Sequence, residues 1–232
     1  MIRPEGGMPG ALYVVATPIG NLDDITLRAI RTLKEVAVIA CEDTRRTGLL
    51  LARYEIKSRL ISYYEPREGR RIPQLMALLK EGRDVALVSD AGTPAISDPG
   101  FKLVREAVRE GIRVVPIPGP SALAAALSAG GLPTHRFLFA GFPPPKAEAL
   151  RKFLSALAEQ DGTLIFYLPG RKLASFLAAV METLGDRDVV IARELTKIHE
   201  EFIRGKASEL AIVAESRGYK GEMTLLVAGM AK

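Results

Sequence analysis

The sequence predicts an α/β fold with a mainly parallel sheet in its first half, because short apolar runs alternate with segments of helical spacing. The clearest strand–helix–strand unit spans residues 85–120. Its apolar runs, Val85–Val88 and Ile112–Val115, each end in a loop rich in Gly and Pro, the second being Pro116–Pro120. Loops after parallel strands converge at one edge of the sheet, so we expect a small-molecule site there.

Helix-capping signals place the other elements of the first half in order. Thr26, and either Asp43 or Thr44, have the side chains of helix N-caps and precede segments of helical spacing. Arg45 and Arg46 would lie in a first helical turn, where positive charge is unfavourable, which indicates that they serve something other than helix stability. The predicted strands are 11–16, 36–40, 60–62, 85–88 and 112–115; the predicted helices are 26–34, one after residue 43, 68–80, and one whose apolar side would comprise Phe101, Val104, Ala107 and Val108.

The second half shows another alternating set. Ser121 is the expected cap of an Ala-rich helix that ends at Gly130 and Gly131. Residues 143–145 are three successive prolines, which favour an exposed, stiff segment. We predict strands 136–141, 163–168, 188–193 and 223–228 and helices 121–130, 147–159, 173–183 and 207–214. The boundary is placed near residues 116–121, giving domains 1–117 and 118–232.

Composition indicates an ordinary globular protein. Of 232 residues, 48% are apolar and 25% are charged. No apolar run reaches the ~18–20 residues of a membrane span, and residues 1–10 lack the apolar core of an export signal. Cys41 is the only cysteine, so no disulfide can form within the chain, and a small buried hydrophobe is its default role. We therefore expect a cytoplasmic protein with no membrane association.

Positive charge is concentrated in residues 45–71, which we call the basic segment. It holds eight basic and three acidic residues, so it alone carries the net charge of +5. Tyr54, Tyr63 and Tyr64 lie among them. Arginines with interleaved tyrosines suit phosphate contacts and base stacking, above all with RNA, whereas the alternative is a solvated helix face. The basic residues are Arg45, Arg46, Arg53, Lys57, Arg59, Arg67, Arg70 and Arg71.

The residues in and near the predicted ligand loops indicate which class of ligand could bind there. Neither matches a dinucleotide or nucleotide phosphate motif, so a ligand without phosphate is expected. Asp90 follows Ser89 directly after a buried strand, where a carboxylate binds a sugar hydroxyl or an ammonium group, or holds its own loop as an Asx-turn. The pair Glu42 and Asp43, and Glu194, occupy equivalent strand ends and compete for the role of a catalytic base.

Two other site classes are disfavoured. Only His135 and His199 are present beside Cys41, and no spacing typical of metal ligands occurs, so no metal site is expected. The segment around Ser121 lacks the last glycine of a nucleophile elbow, and so few histidines argue against a catalytic triad.

Long ordered motifs add a family resemblance from about residue 11 to 229. They read TPIGNLDDIT, ACEDTRRTGLLL, VSDAGTPAISDPG, PGPSALAAALSAGGL, FLFAGFPP, ARELTK and KGEMT. The sequence resembles the small-subunit ribosomal RNA 2′-O-ribose methyltransferase I family of the tetrapyrrole methylase superfamily. That resemblance implies two α/β domains, the second with a mixed sheet, S-adenosyl-L-methionine held between them, and a homodimer. It also implies methylation of a cytidine ribose in 16S ribosomal RNA of the small subunit.

Methyl transfer to a ribose hydroxyl needs a base for its proton, or a cation that lowers its pKa. From the residues themselves we expect Glu42 or Asp43 to be the base, and Arg45, Arg193 and Lys197 to hold a phosphate or the developing oxyanion. Some members of the family extend past the last strand; if that extension helps to hold RNA, the dimer partner or the basic segment is the expected substitute here. Methylation of a small tetrapyrrole, and RNA binding without catalysis, are the alternative functions. The resemblance implies cofactor contacts at Pro18, Ser89, Asp90, Thr93, Pro94, Ser121, Ala122, Tyr167, Leu168, Glu222, Met223 and Thr224. The candidate RNA contacts, chosen from the residues themselves, are Arg45, Arg46, Arg193 and Glu194.

Overall fold

The computed structural model describes residues 8–230 and divides into two compact units, one ending at Ser121 and the other beginning at Ala122. The boundary predicted between residues 117 and 118 lies just before this division. Residues 1–7 of the stretch examined for an export signal lie outside the described residues. No helix among residues 8–230 has the length and apolar character needed to cross a bilayer.

The first unit contains a parallel sheet, as predicted. Its described residues form five strands in the order β3-β2-β4-β1-β5, and each neighbouring pair is parallel. The strands are β1 Leu12–Val15, β2 Val38–Cys41, β3 Arg59–Ser62, β4 Val85–Val88 and β5 Val114–Ile117. The helices are α1 Leu27–Glu35, α2 Thr44–Arg53, α3 Glu68–Lys80 and α4 Phe101–Arg109, with short 3-10 helices at Leu22–Asp24 and Glu65–Arg67.

Apolar layers cover both faces of this sheet. Val85 and Leu87 of the central strand β4 belong to one buried cluster, and Ala86 and Val88 belong to another on the opposite face. A strand buried on both faces needs an uninterrupted apolar sequence rather than an alternating one. This is why the apolar run at residues 85–88 could be predicted to be a strand.

The predicted caps of α1 and α2 are confirmed, and the alternative cap Thr44 is wrong. The side chain of Thr26 accepts a hydrogen bond from the main-chain N–H of Ala29 at 3.1 Å. Asp43 caps α2 by accepting from the N–H of Arg45 at 2.9 Å. Thr44 is instead the first residue of the helix.

Strand β5 begins later than predicted and includes residues assigned to the following loop. Pro116 and Ile117 pair with β1 rather than forming a turn. Proline has no N–H to donate, but β5 is at the edge of the sheet, where that donor is not required. The rigid loop therefore starts at Pro118.

The buried side of α4 differs from the predicted one. Leu103 and Ala107 are fully buried, whereas Phe101 and Val108 are 61% and 63% exposed. Leu103 and Ala107 are four positions apart and so share one helix face. The predicted stripe included Ala107 correctly but omitted Leu103.

Replacing Leu103 by Ala should lower the free energy of unfolding by about 2–5 kcal/mol, because it leaves a cavity in the core. Phe101→Ala on the same helix should cost under about 1 kcal/mol despite removing more atoms, because most of that side chain is exposed. Urea denaturation of both variants measures the difference. Equal destabilisation would contradict the assigned helix orientation.

The second unit has a mixed sheet in the order β6-β7-β10-β8-β9 over its described residues. Only β6 and β7 are parallel; the remaining neighbours are antiparallel. The strands are β6 Phe137–Gly141, β7 Thr163–Pro169, β8 Asp188–Arg193, β9 Glu201–Lys206 and β10 Glu222–Val227. The helices are α5 Ala122–Gly130, α6 Ala147–Ser155, α7 Leu173–Thr183 and α8 Ala207–Arg217.

Two features of this unit were not predicted. Strand β9 was missed because it is a charged edge strand, with Glu201, Arg204 and Lys206 where an inner strand would be apolar. Helix α6 ends at Ser155, earlier than predicted, and α8 continues to Arg217. The core lies where α6, α7 and α8 cover one face of the sheet.

Candidate functional site

Three loops of the first unit are joined at the carboxyl ends of neighbouring strands β4, β1 and β5. Thr17 and Gly92 exchange main-chain hydrogen bonds of 2.9 and 3.0 Å. The hydroxyl of Thr93 donates to the carbonyl oxygen of Pro120 at 3.4 Å. We call residues 17–20, 89–100 and 118–121 the loop cluster. The convergence expected from the sequence is therefore present.

The longest of these loops has a constrained backbone. Ala95 and Ser97 have φ values of 68° and 60°, which side chains other than glycine rarely adopt. At Gly100, φ is 139°, and an added Cβ would lie 2.8 Å from a methyl carbon of Leu87. Such conformations cost about 1–3 kcal/mol each and persist where the surrounding structure enforces them. The loop is thus held in one shape.

Buried hydroxyls fix the start of the same loop. Ser89 is 3% exposed, and its hydroxyl donates to the carbonyl oxygen of Gly92 at 3.2 Å. The hydroxyl of Thr17 donates to the carbonyl oxygen of Ser89 at 3.0 Å. Pro18 and Pro94 are also buried. These residues shape the loop from within.

An open concave pocket of about 350 Å³ lies beside the loop cluster, at the carboxyl ends of β2, β3 and β4. We call it the acidic pocket, since three carboxylates line it. Four of its residues were predicted from the sequence as site residues and Tyr64 as a stacking residue of the basic segment, whereas Thr44 was considered only as a helix cap and Ser62 was missed. Ser62 ends β3, so the strand-end rule that found Asp90 could have found it too. The lining residues are Glu42, Asp43, Thr44, Arg45, Ser62, Tyr64 and Asp90.

Asp90 connects the acidic pocket with the loop cluster. Its Oδ1 accepts a hydrogen bond from the main-chain N–H of Asp43 at 3.0 Å. Its Oδ2 lies 3.5 Å from a guanidinium nitrogen of Arg46. Asp90 therefore holds the turn between β2 and α2, and these partners are not those of an Asx-turn within its own loop.

Two of the three candidate bases, Glu42 and Asp43, have opposite electrostatic environments. Desolvation, followed by the charge of Asp90, raises the pKa of Glu42. The pKa of Asp43 is lowered, primarily by its hydrogen bond from the Arg45 side chain, which is 2.7 Å from Oδ2. Asp43 also caps α2, so its oxygens already have partners. Glu42 is accordingly the better proton acceptor.

Negative charge dominates where the acidic pocket meets the loop cluster. Burial, together with the charges of Glu42 and Asp90, raises the pKa of Asp98 to about 6. Carboxylates that raise one another's pKa are stabilised by a cation, and they oppose a phosphate. The arrangement therefore suits a positively charged ligand, and it is compatible with the phosphate-free ligand expected from the loop sequences.

The basic segment lies at the surface next to this pocket. Arg71 is half-buried and donates to Gln74 at 2.7 Å. Tyr63 was expected to be available for stacking, which is wrong: it is 1% exposed and its hydroxyl donates to Glu68. Tyr54 and Tyr64 are half-buried. Among the side chains of the segment that the structure describes, the exposed basic ones are Arg45, Arg46, Arg53, Lys57, Arg59 and Arg70; the side chain of Arg67 lies outside this description.

In the second unit, the residues predicted on β7 and β10 divide between the two faces of the sheet. Tyr167 pairs with Thr224, and its hydroxyl accepts from the N–H of Leu123 at 3.2 Å, near the start of α5. Leu168 and Met223 lie in the core, so their side chains are not available to a ligand. Ser121 immediately precedes α5, and Ala122 is its first residue.

The loop after β8 brings its charged residues together. The Nζ of Lys197 lies 3.3 Å from Glu194 and 3.0 Å from Glu222. Despite desolvation, these two carboxylates raise the pKa of Lys197, so it remains a cation. Arg193 pairs with Glu201 at 2.8 Å. Glu194 has a positive φ of 49° and accepts from the N–H of Glu222.

Comparisons with known proteins agree with this architecture. The family model of tetrapyrrole (corrin/porphyrin) methylases matches residues 11–211. Ribosomal RNA small subunit methyltransferase I of Thermotoga maritima is 48% identical over 95% of this chain and 99% of its own. Proteins of the same name from Mesorhizobium japonicum and Escherichia coli O157:H7 are 51% and 48% identical, over 97% and 95% of this chain and 77% and 78% of theirs.

Solved structures show the same fold. Cobalt precorrin-4 methyltransferase, a cobalamin biosynthetic enzyme, superposes with a TM-score of 0.68 at 18% identity over 94% of both chains. Uroporphyrin-III-C-methyltransferase from Thermus thermophilus gives 0.67 at 25% identity, also over 94% of both chains.

Proposed function

Because the chain belongs to the ribosomal RNA small subunit methyltransferase I family, within the tetrapyrrole methylases, we propose that it methylates the 2′-oxygen of a cytidine ribose in 16S ribosomal RNA. S-adenosyl-L-methionine is the proposed donor. The acidic pocket carries this proposal, because it shares Asp90 with the loop cluster and is flanked by the arginines of α2.

The residues of the first unit fit this donor. Its sulfonium is cationic, it has no phosphate, and when bound it supplies an activated methyl group. Asp90 and Asp98 provide negative charge, while the loop cluster offers main-chain groups in a fixed arrangement. We assign Pro18, Ser89, Asp90, Thr93, Pro94 and Ser121 of the first unit and Ala122, Tyr167, Leu168, Glu222, Met223 and Thr224 of the second as donor-binding residues, with Leu168 and Met223 acting through their main chain.

Glu42 acts as the general base in this proposal. Its carboxylate accepts the proton of the ribose hydroxyl while that oxygen bonds to the methyl carbon and the electrons of the carbon–sulfur bond remain on sulfur. A raised pKa makes Glu42 a stronger base than an ordinary carboxylate. Asp43 instead keeps Arg45 in place through two side-chain hydrogen bonds.

Charged side chains of both units are proposed to hold the RNA. Arg45 has an 89% exposed side chain, and Arg46 lies in the same helical turn. From the second unit, Arg193, Glu194 and Lys197 are proposed to contact RNA, with Lys197 favouring the developing oxyanion as a fixed positive charge. We further propose that the protein acts in the cytoplasm as a homodimer.

Replacing Arg45 and Arg46 together by Ala should weaken 16S RNA binding about 10-fold or more. It should also lower the slope of log affinity against log salt by about 2, since each arginine neutralises one phosphate. Filter binding at several salt concentrations measures both quantities. The matched control replaces Arg105 and Arg109 of α4, which lie outside the basic segment. An equal loss in the control would contradict the assigned RNA surface.

Transfer of labelled methyl groups tests the proposed function. The protein is incubated with tritiated S-adenosyl-L-methionine and with small ribosomal subunits, free 16S RNA or uroporphyrinogen III. Label is expected in the RNA. Label in the tetrapyrrole alone would favour a small-molecule methylase, and the absence of transfer to any acceptor would favour RNA binding without catalysis.

A further inference from the structure

Glu68 is a buried carboxylate to which the proposed chemistry gives no role. It is the first residue of α3 and is 3% exposed. Three donors from different parts of the first unit surround it. The hydroxyl of Tyr63 donates to Oε1 at 3.0 Å, the N–H of Gly100 donates to Oε1 at 3.3 Å, and Lys102 lies 2.9 Å from Oε2.

These partners keep Glu68 ionised. Desolvation raises the pKa of the carboxyl, but the hydrogen bonds from Lys102, Tyr63 and Gly100 together lower it below its ordinary value. Hydrogen bonds to an ionised acceptor are roughly twice as strong as neutral ones. Glu68 therefore holds two segments by strong hydrogen bonds, the one that contains Tyr63 and the one that contains Gly100 and Lys102.

The two attached segments belong to different halves of the proposed site. Tyr63 lies between Ser62 and Tyr64, which both line the acidic pocket. Gly100 ends the longest loop of the loop cluster, the loop that begins with Ser89 and Asp90. Glu68 thus connects the far end of the donor loop with the outer wall of the pocket.

A stabilising role at the helix start is a simpler explanation for an acidic residue here, because a negative charge at this end favours the helix dipole. That explanation requires neither burial nor a hydrogen bond to Gly100. An exposed glutamate would satisfy it, and Glu65, at the start of the preceding 3-10 helix, is such a residue.

We propose that Glu68 is a positioning residue, whose buried carboxylate fixes the distance between the donor loop and the wall of the acidic pocket that carries Ser62 and Tyr64. Its catalytic consequence depends on the proposed methyl transfer, since donor and ribose must be aligned. Misplacement by about 1 Å can lower a rate about 100-fold without preventing binding.

Glu68→Gln keeps the size of the side chain and an oxygen acceptor but removes the charge. We expect kcat per active molecule for methyl transfer to fall about 10-fold or more, with KM for RNA and donor affinity changed less than about 3-fold. Tyr63→Phe removes one hydrogen bond of the same group and should have a smaller effect. The increase in activation free energy caused by combining Glu68→Gln with Tyr63→Phe should be less than the sum of the increases caused by each substitution alone. The matched control is Glu81→Gln, because Glu81 is an exposed glutamate immediately after the last residue of α3.

A merely structural residue would behave differently in this assay. It would reduce the melting temperature and the fraction of active protein, yet leave kcat per active molecule unchanged. Donor titration by calorimetry counts the active molecules. An unchanged kcat in Glu68→Gln would overturn the positioning role.

Hydrogen exchange of the free protein tests the connection without any methyl transfer. In Glu68→Gln, the amides of residues 62–64 and those of residues 98 and 100–102 should both exchange about 10-fold faster than in the unmodified protein, whereas Glu81→Gln should leave them unchanged. Faster exchange in only one of the two segments, or in neither, would overturn the proposal. If the unmodified protein transfers no methyl group, the proposed function is wrong, and the exchange result still decides whether Glu68 connects the segments.

Discussion

Glu42→Gln should lower kcat for methyl transfer about 10²–10⁴-fold, the usual contribution of a positioned general base. The amide keeps the shape of the side chain but cannot accept the ribose proton. Donor affinity should change little, because Glu42 acts on the hydroxyl rather than on the donor. Single-turnover kinetics with saturating RNA measures the chemical step directly.

Asp43→Asn is the matched control, since it changes the neighbouring carboxylate in the same pocket. Asn caps helices about as well as Asp, so α2 should remain intact. We expect less than about a 10-fold loss in kcat. A larger loss in Asp43→Asn than in Glu42→Gln would identify Asp43 as the base and contradict the electrostatic assignment.

The pH profile gives an independent readout of the same residue. The base must be ionised, so kcat/KM should fall as the pH drops through the pKa of Glu42, which lies above the ordinary value of 4.5. The charge of Asp90 contributes to that shift. Asp90→Asn should therefore move the acid limb of the profile to lower pH.

The second large effect is expected at Asp90. Asp90→Asn retains an oxygen that can accept from the N–H of Asp43, but it removes the negative charge at the junction of the acidic pocket and the loop cluster. Affinity for the cationic donor should fall about 10-fold or more, equivalent to at least ~1.4 kcal/mol. Asp90→Ala should cause a greater loss, because it also leaves that N–H without its partner. Calorimetric titration with S-adenosyl-L-methionine measures the affinity.

Asp84 offers a matched control at the opposite end of the same strand. Its Oδ1 accepts from the N–H of Ala11 at 2.7 Å, so it also combines a charge with a main-chain hydrogen bond. Asp84→Asn should leave donor affinity unchanged. If both variants lost affinity equally, the effect would reflect the stability of the sheet rather than donor binding.

Much of the fold could be predicted because its signals are local. The buried strand β4, the caps Thr26 and Asp43, and helix α7 each depend on residues close together in the chain. The placement of Ser89 and Asp90 also followed from a single rule, that residues after a buried parallel strand lie at the ligand-binding edge.

The remaining features depend on partners distant in sequence. Nothing near Asp90 indicates that it accepts from Asp43, and nothing near Tyr63 indicates that Glu68 is buried against its hydroxyl. The buried face of α4 is likewise set by the sheet and α3, since Phe101 and Leu103 are equally apolar in sequence. The proposal of Glu42 rather than Asp43 as the base likewise depends on an ion pair that only the structure shows, that of Asp43 with Arg45.

Mapping the modified nucleoside tests the central claim most directly. Small subunits lacking the modification are treated with the protein and S-adenosyl-L-methionine, and the 16S RNA is digested to nucleosides for mass spectrometry. We predict 2′-O-methylcytidine, with production strongly reduced in Glu42→Gln. A methyl group on a base, or 2′-O-methylcytidine formed equally well by Glu42→Gln, would contradict a ribose methylation that depends on the acidic pocket.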